Sequence, residues 1–343
     1  MSDVARSSGH DTGATLSPLG RLTRWLDHMP SPALACEIGP HGVAAARGAR
    51  RRVSLEAHAF EALPAGAVTP SPVELNIIDT AAVGAALARV LARVNGHETG
   101  TALVIPDQVV RVFLLQFETF PRRAEEAVPL LRWRLKKSVP FDVEDTVVSY
   151  MLQDAGPAVP RPTGEGSSES PGGVHVLAAV ARQRIVRQYE EMLEAAGRAA
   201  GVVLSSTLAA LPLMDDSHAS LLARLSGRTL TTVIARRGLM AVYRCTEMPA
   251  TFDALAPQAL LDEIYPAAAY YHDTWGEPVA QARLAGFGER YEEFRSAVEH
   301  ELNCKAAPLS AAAVLEERLA GEARATVDRD FDALVGWMLY RED

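Results

Sequence analysis

The sequence predicts an α/β protein made of two pseudo-duplicated halves that flank a cleft, with a small α/β subdomain inserted between them. Two observations predict this fold class. Each half opens with short apolar strands joined by hairpin-type turns, and then continues into a helix and a further strand. Between the halves lies a unit of different character, which starts with a strongly basic helix. Ligands of such two-part folds bind in the cleft between the parts.

Composition narrows the class of protein further. The 343 residues are 48% hydrophobic and 22% charged, which excludes a disordered chain, a coiled coil and a disulfide miniprotein. The formal net charge is −9, so the chain lacks the basic footprint of a nucleic-acid binder, and we expect no nucleic-acid partner. The three cysteines form no CxxC pair, which predicts reduced thiols in a cytosolic protein and no metal site. No apolar run reaches the roughly 18 residues of a membrane span, and we expect no signal peptide.

The N-terminal part of the chain is interpreted as an arm followed by the first half. Residues 1–32 predict a disordered arm and a short amphipathic helix at 18–28, which either docks onto the body or binds a membrane surface or a partner. Residues 33–120 predict the first part of the first half. Its expected elements are a helix at 80–94 with Asp79 as N-cap, and strands at 33–38, 43–46, 53–60, 101–105 and 109–117.

Residues 121–182 predict the inserted subdomain. A helix at 124–137 carries a rim of basic residues, which is either a solvated face or a docking surface: Arg122, Arg123, Arg132, Arg134, Lys136 and Lys137. Strands at 146–152 and 175–181 enclose a Pro-, Gly- and Ser-rich stretch at 154–173, for which we expect a mobile loop. The subdomain runs into an amphipathic helix at 183–197.

Residues 198–320 predict the second half, and residues 321–343 a C-terminal helix that returns to the first half. The expected strands are 202–205, 220–225, 229–235, 239–245 and 281–285. The expected helices are 208–214, 260–275, 289–302, 311–319 and 330–340.

Several short strings, in this order, resemble the PilM family of type IV pilus assembly proteins. Residues 35–39 (ACEIG) stand where that family has a strand reading DIG, and residues 62–67 (ALPAGA) resemble its LPPGAI. Further similar strings are 102–106 (ALVIP), 139–141 (VPF), 179–182 (AVAR) and 284–288 (LAGFG). The resemblance spans residues 33–340 and implies the actin-like ATPase fold of FtsA/PilM type.

The resemblance implies a nucleotide cleft formed by three loops. Two glycine-containing hairpins would hold the phosphates and Mg²⁺, and a glycine turn would admit the adenosine. The residues that match these loops, as a vestigial cofactor site, are Glu37, Gly39, Gly42, Gly227, Gly286 and Gly288.

All three loops depart from the family pattern. Glu37 replaces the expected aspartate, and Pro40 removes a backbone N–H that would donate to phosphate. Leu225 stands where the second loop would carry an aspartate. Phe287 replaces a glycine of the adenosine turn, either filling the adenine space or packing as a core aromatic. We therefore expect either no cofactor or weak binding of ATP with Mg²⁺, and we assign no catalytic residue.

The resemblance also implies a partner. PilM-like proteins bind the N-terminal cytoplasmic segment of PilN, a bitopic membrane protein, in a groove between the first subdomain and the inserted one. An extended peptide is captured by main-chain hydrogen bonds and apolar pockets. The region-level candidates for partner binding are Arg132, Trp133, Lys136 and Phe141. Contacts with other pilus assembly proteins are expected, and a homodimer is allowed.

The sequence thus favours a cytoplasmic scaffold of the type IV pilus machinery, peripheral to the inner membrane through its partners and serving processes such as twitching motility. One alternative is an active PilM-like ATPase whose nucleotide state gates the cleft. Another is the cytoplasmic domain of a type II secretion protein similar to GspL.

Overall fold

The computed structural model describes residues 32–48, 55–94, 100–153, 173–215, 217–312, 315, 327 and 331–339. The expected N-terminal arm with its short helix, most of the loop at 154–173 and most of the expected helix at 311–319 lie outside these residues.

The described residues form thirteen strands and seven α-helices. The strands are β1 Leu34–Ile38, β2 Gly42–Gly48, β3 Leu55–Ala62, β4 Gly100–Ile105, β5 Arg111–Phe117, β6 Thr146–Gln153, β7 Val174–Arg182, β8 Ala199–Ser205, β9 Ser220–Ser226, β10 Thr229–Arg236, β11 Leu239–Glu247, β12 Gln281–Ala285 and β13 Lys305–Pro308. The helices are α1 Thr80–Val94, α2 Ala124–Leu135, α3 Gln183–Ala195, α4 Ser206–Ala210, α5 Pro257–Trp275, α6 Tyr291–Leu302 and α7 Asp332–Leu339.

Two five-stranded sheets share one topology. Their strand orders are β3-β2-β1-β4-β8 and β11-β10-β9-β12-β13. In each, three antiparallel strands are followed by two strands that pair in parallel. The repeated order confirms the two pseudo-duplicated halves. Strand β13 was missed by the sequence analysis, because its four residues, Lys-Ala-Ala-Pro, are too few to show a periodic pattern.

Each sheet buries its outer face under helices. In the first half, the apolar faces of α1 and α3 pack on the sheet and include Val83, Leu87 and Tyr189. The backbone N–H of Ala82 donates to Asp79 Oδ1 at 2.9 Å, so the predicted N-cap of α1 is confirmed. In the second half, α5 and α6 cover the equivalent face with Ile264 and Phe294.

The inner faces of the two sheets meet around α4 and α7. All eight residues of α7 are buried, which fits a helix that is apolar on every side apart from Asp332. A Cβ at Gly336 would lie 2.3 Å from the Ala209 carbonyl oxygen, so this glycine permits the close approach of α7 to α4. Helix α7 also contacts β1 and β2 of the first half.

The inserted subdomain is a three-stranded sheet of order β5-β7-β6. Helix α2 covers one face through Leu131 and Leu135, which pack on Val176, Ala178 and Val180 of β7. The helix ends at Leu135, two residues earlier than expected.

Candidate functional site

The two hairpins predicted to hold phosphates touch each other across the cleft. In the first, between β1 and β2, the Gly39 N–H donates to the Gly42 carbonyl at 2.9 Å. In the second, between β9 and β10, Gly227 has a φ of +60°. A Cβ at Gly227 would lie 2.9 Å from His41 Nε2. The first hairpin therefore occupies the space directly in front of the second.

The predicted adenosine turn follows β12. Gly286 has a φ of +82°, and a Cβ there would lie 1.8 Å from the Leu225 carbonyl oxygen. The turn is thus pressed against the end of β9. A Cβ at Gly288 would lie 2.8 Å from the Phe252 ring. Phe287 is buried, with its ring centroid 4.8 Å from that of Phe294, so it is a core aromatic of the second half.

A buried arginine joins the two halves beside these hairpins. Arg224 of β9 makes a two-bond ion pair with Asp332 at the start of α7, with N–O distances of 2.6 and 2.9 Å. It also donates to Ser206 Oγ at 3.0 Å. Its guanidinium lies 3.7 Å from Glu37 Oε1 and 3.8 Å from Asp107 Oδ2. One cation from the second half therefore faces three carboxylates from the first half and α7.

The surroundings of Arg224 hold it in the charged form. Burial alone would lower its pKa, because it penalises the charged guanidinium. The attraction of Asp332, followed by that of Glu37 and Asp107, outweighs burial and raises the pKa above its usual value. The guanidinium is therefore a permanent positive charge in this site.

Asp107 connects the cluster to both halves. It follows β4 directly, and its Oδ1 accepts the Thr207 N–H at 2.8 Å. Its Oδ2 accepts the hydroxyls of Thr207 and Thr231, the latter at 2.9 Å from β10 of the second half. The carboxylate is thus fixed by groups on each side of the cleft.

This arrangement does not fit a magnesium–nucleotide complex. The three carboxylates that would neutralise a metal face Arg224. The first hairpin has Pro40 in place of an N–H donor, and His41 lies against Gly227. Phe287 is part of the core. We therefore derive no chemical step through a nucleotide.

Sequence reasoning found Glu37 but missed Arg224, Asp107 and Asp332. Arg224 was signalled by a charged residue within an otherwise apolar strand, Ser-Leu-Leu-Ala-Arg-Leu-Ser, all but its last residue buried. Such a residue needs a buried partner of opposite charge. Which carboxylate provides it depends on chain segments more than 100 residues apart.

The described ranges contain neither a metal cluster nor a membrane-spanning helix. Among these residues, no group of three or more His, Cys, Asp or Glu side chains is placed to hold a metal ion. Nor is any helix in the described part of the chain both long and apolar enough to cross a bilayer.

A second concavity lies between the inserted sheet and the first half. This groove has a volume of about 140 Å³, and most of its lining is apolar. One wall is the face of β6 and β7 that carries Met151, Leu177 and Ala179. The other wall comes from the first half and includes Val203 of β8 and Leu208 of α4.

Strand β6 is an edge strand beside this groove. It pairs with β7 on one side, and no strand of the described residues pairs with its other side. Two of its apolar side chains, Val147 and Leu152, are exposed. The edge borders the groove on one face and a second depression, next to α2, on the other. Backbone donors and acceptors are therefore available beside apolar pockets.

The four residues predicted to bind a partner lie on the α2 side of the inserted sheet, and none of them lines the groove. Arg132 donates to the Thr146 carbonyl at 3.0 Å, at the start of β6. Phe141 packs into the cluster beneath α2. Trp133 and Lys136 are exposed on the outside of the helix.

The fold and the cleft define a class of protein. Two sheets of repeated topology, with hairpins facing each other across a cleft and an inserted subdomain, are the actin-like ATPase fold, and the expected fold class is confirmed. No family model matches the sequence.

Within that class, the chain is similar to a chain in a solved structure of a PilM–PilN type IV pilus biogenesis complex. The TM-score is 0.72 at 17% identity, covering 92% of this chain and 100% of the other. It also matches an actin-like ATPase-fold protein of unknown function from Bacteroides thetaiotaomicron, with TM-score 0.47, 12% identity, and coverage of 88% and 94% of the two chains. A third match is the cytoplasmic domain of EpsL from the type II secretion system of Vibrio cholerae, with TM-score 0.44, 12% identity, and coverage of 73% and 80%.

Proposed function

We propose that this protein is a cytoplasmic, actin-like scaffold of the type IV pilus assembly machinery. Its partner is the N-terminal cytoplasmic segment of a PilN-like inner-membrane protein, which makes the scaffold peripheral to that membrane. The observation that carries the proposal is the apolar groove between the inserted sheet and the first half, bordered by the open edge of β6. The likeness in fold to a chain of the PilM–PilN complex supports it.

The groove favours an extended apolar peptide. A strand-like segment along β6 would form main-chain hydrogen bonds with the open edge and place alternate side chains into the groove. The lining supplies small and flexible apolar side chains, such as Ala179 and Met151, and few polar atoms. Such a surface selects peptide side chains that are apolar and fit the shape of the groove, and the open edge of β6 fixes the direction of the peptide main chain.

The candidates on the α2 side have separate roles in this proposal. Arg132 and Phe141 hold the start of β6 and the sheet beneath α2, so they position the groove wall without lining it. Trp133 and Lys136 face away from the sheet, and a partner role for them requires a different surface.

We further propose that binding does not depend on nucleotide, and that ATP with Mg²⁺ binds weakly or not at all. The two sites share α4. Ser206 and Thr207 of this helix contact Arg224 and Asp107 on the cleft side, while Leu208 lines the groove. The cluster of Arg224 with Glu37, Asp107 and Asp332, and not a bound nucleotide, therefore holds the groove wall in place.

The test is calorimetric titration of the full chain with a peptide of a PilN-like N-terminal segment. Ala179→Trp fills the groove from β7, and we expect at least a tenfold loss of affinity. The matched control is Ala254→Trp, at an exposed loop position of the second half, which should bind as the unmodified protein does. Circular dichroism and thermal unfolding establish that both variants fold. Peptide binding that is absent, or that survives Ala179→Trp unchanged, would refute the proposal.

A further inference from the structure

The outward face of α2 combines an exposed tryptophan with unpaired basic residues. Leu131 and Leu135 point into the sheet, whereas Trp133 lies on the opposite side of the helix. Its side chain is 74% exposed, the highest value among the large hydrophobic residues described. We call this surface the α2 outer face; it comprises Trp133, Arg134, Lys136 and Lys137 at the C-terminal end of the helix, and Arg122, Arg123 and the exposed Glu125 and Glu126 at the N-terminal end.

The charge of this surface contrasts with that of the molecule. Residues 122–137 contain six Arg or Lys and two Glu, a net charge of +4, while the chain as a whole carries −9. Within the described part of the chain, none of the five exposed cations on the α2 outer face forms an ion pair with a carboxylate. Other exposed arginines do pair, for example Arg89, Arg187 and Arg244 with nearby glutamates.

We propose that the α2 outer face binds the anionic headgroups of a lipid bilayer. Lys and Arg side chains gain electrostatic energy near an anionic surface, and a tryptophan ring favours the headgroup level. The cations lie at both ends of the helix and outnumber its two exposed glutamates, Glu125 and Glu126. The exposed tryptophan favours a bilayer over an acidic peptide, because the indole ring is favoured at the headgroup level while the cations attract the anionic lipids.

The binding site for lipid is separate from the groove. Helix α2 covers one face of the inserted sheet, and the groove lies against the other face. The protein can therefore contact a membrane through α2 while a peptide occupies the groove. The lipid contact does not require the proposed function to be correct.

The experiment is flotation of the full chain with two kinds of vesicle. One is phosphatidylcholine alone, and the other is phosphatidylcholine with about one third phosphatidylglycerol, an anionic lipid. We expect binding only to the anionic vesicles, and weaker binding at high salt. The triple variant Arg134→Gln, Lys136→Gln, Lys137→Gln should lower the partition coefficient about a hundredfold, since each cation contributes about fivefold.

Two controls separate this surface from general charge and from the N-terminal segment. The triple variant Arg89→Gln, Arg187→Gln, Arg244→Gln makes the same change in net charge at exposed arginines that already pair with glutamates, and should bind vesicles as before. Arg21→Gln with Arg24→Gln tests the amphipathic stretch at 18–28, and should leave most of the binding intact.

Tryptophan fluorescence tests the orientation directly. With brominated anionic lipids, the emission of the unmodified protein should be quenched, and Trp133→Phe should remove that quenching while Trp25, Trp275 and Trp337 remain. Binding that is insensitive to the α2 triple variant, or abolished by the change at Arg21 and Arg24, would overturn the proposal. If the protein binds polyglutamate but not vesicles, and the α2 triple variant loses that binding, the proposal would be overturned in favour of an acidic protein partner. The α2 triple variant should bind the PilN-like peptide with unchanged affinity. Failure of the lipid proposal can therefore be told apart from failure of the groove proposal.

Discussion

Arg224 provides the positive charge of the cleft, so its removal leaves buried carboxylates without a counter-charge. We expect Arg224→Met to lower the free energy of unfolding by about 3–5 kcal/mol, the cost of breaking a buried ion pair. Arg228→Met is the matched control, because its pair with Glu247 is exposed and should contribute about 0–1 kcal/mol. Urea unfolding of the three proteins measures both effects. A loss below about 1 kcal/mol for Arg224→Met would show that the cluster is not a structural unit.

The three cysteines should react slowly in the folded protein. Burial, followed by the nearby Glu299, raises the pKa of Cys304 to about 11, and burial followed by Asp107 raises that of Cys245 to about 12. Burial and then Glu37 raise the pKa of Cys36. Because the thiolate is the reactive form and only about one Cys304 in a thousand is ionised at pH 8, its alkylation should be slow there, with a rate that rises about tenfold per pH unit up to pH 10. Alkylation followed by mass spectrometry checks this, and rapid native labelling of all three at pH 8 would contradict it.

At the residue scale, the sequence predicted which residues form the cleft loops. It did not predict that the two hairpins touch each other or that a buried ion cluster lies beside them. Glu37 and the glycines were assigned to these loops through short strings that resemble those of the PilM family. The roles of Asp107 and Asp332 arise only when β4, α7 and β9 come together, and no local pattern encodes that. Phe287 shows the same limit, since a core role and a pocket-filling role predict the same residue type.

At the scale of elements, the turn after β12 depends on one glycine. Gly286→Ala combines a positive φ with a Cβ 1.8 Å from the Leu225 carbonyl oxygen, so the turn and the end of β9 must separate. Gly66→Ala is the control, because Gly66 has a φ of +81° with nothing within 4 Å of its Cβ position. We expect about 1 kcal/mol for Gly66→Ala and at least about 3 kcal/mol for Gly286→Ala. Thermal unfolding compares them, and equal costs would contradict the tight contact.

Most helices and strands could be predicted from periodicity, and the errors have physical causes. Strand β13 and helix α4 are too short to show a period, so β13 was missed and α4 was placed two residues late. The expected strand at 109–117 begins only at Arg111, because Asp107–Val109 forms a 3₁₀ turn that places the Asp107 carboxylate in the cleft.

At the scale of the whole molecule, the two halves are joined through buried charge and through α7. The inner faces of both sheets pack around this helix, and Asp332 at its first turn pairs with Arg224 of the second half. The ion cluster in the cleft and the wall of the groove are linked, because α4 contributes residues to both. The duplicated topology could be predicted from the order of hairpins. The groove could not, since its walls come from six separate strands and helices whose side chains look like ordinary core residues in the sequence.

The central claim is that an actin-like body with a closed cleft binds a partner segment without using nucleotide. Its most direct test is the dissociation constant of the PilN-like peptide, measured by calorimetry in the absence of nucleotide and again with millimolar ATP and Mg²⁺. We expect the same dissociation constant for the peptide in both conditions, and no heat when ATP is titrated alone. A peptide affinity that requires ATP, or that changes tenfold with it, would show a working nucleotide cleft and contradict the account.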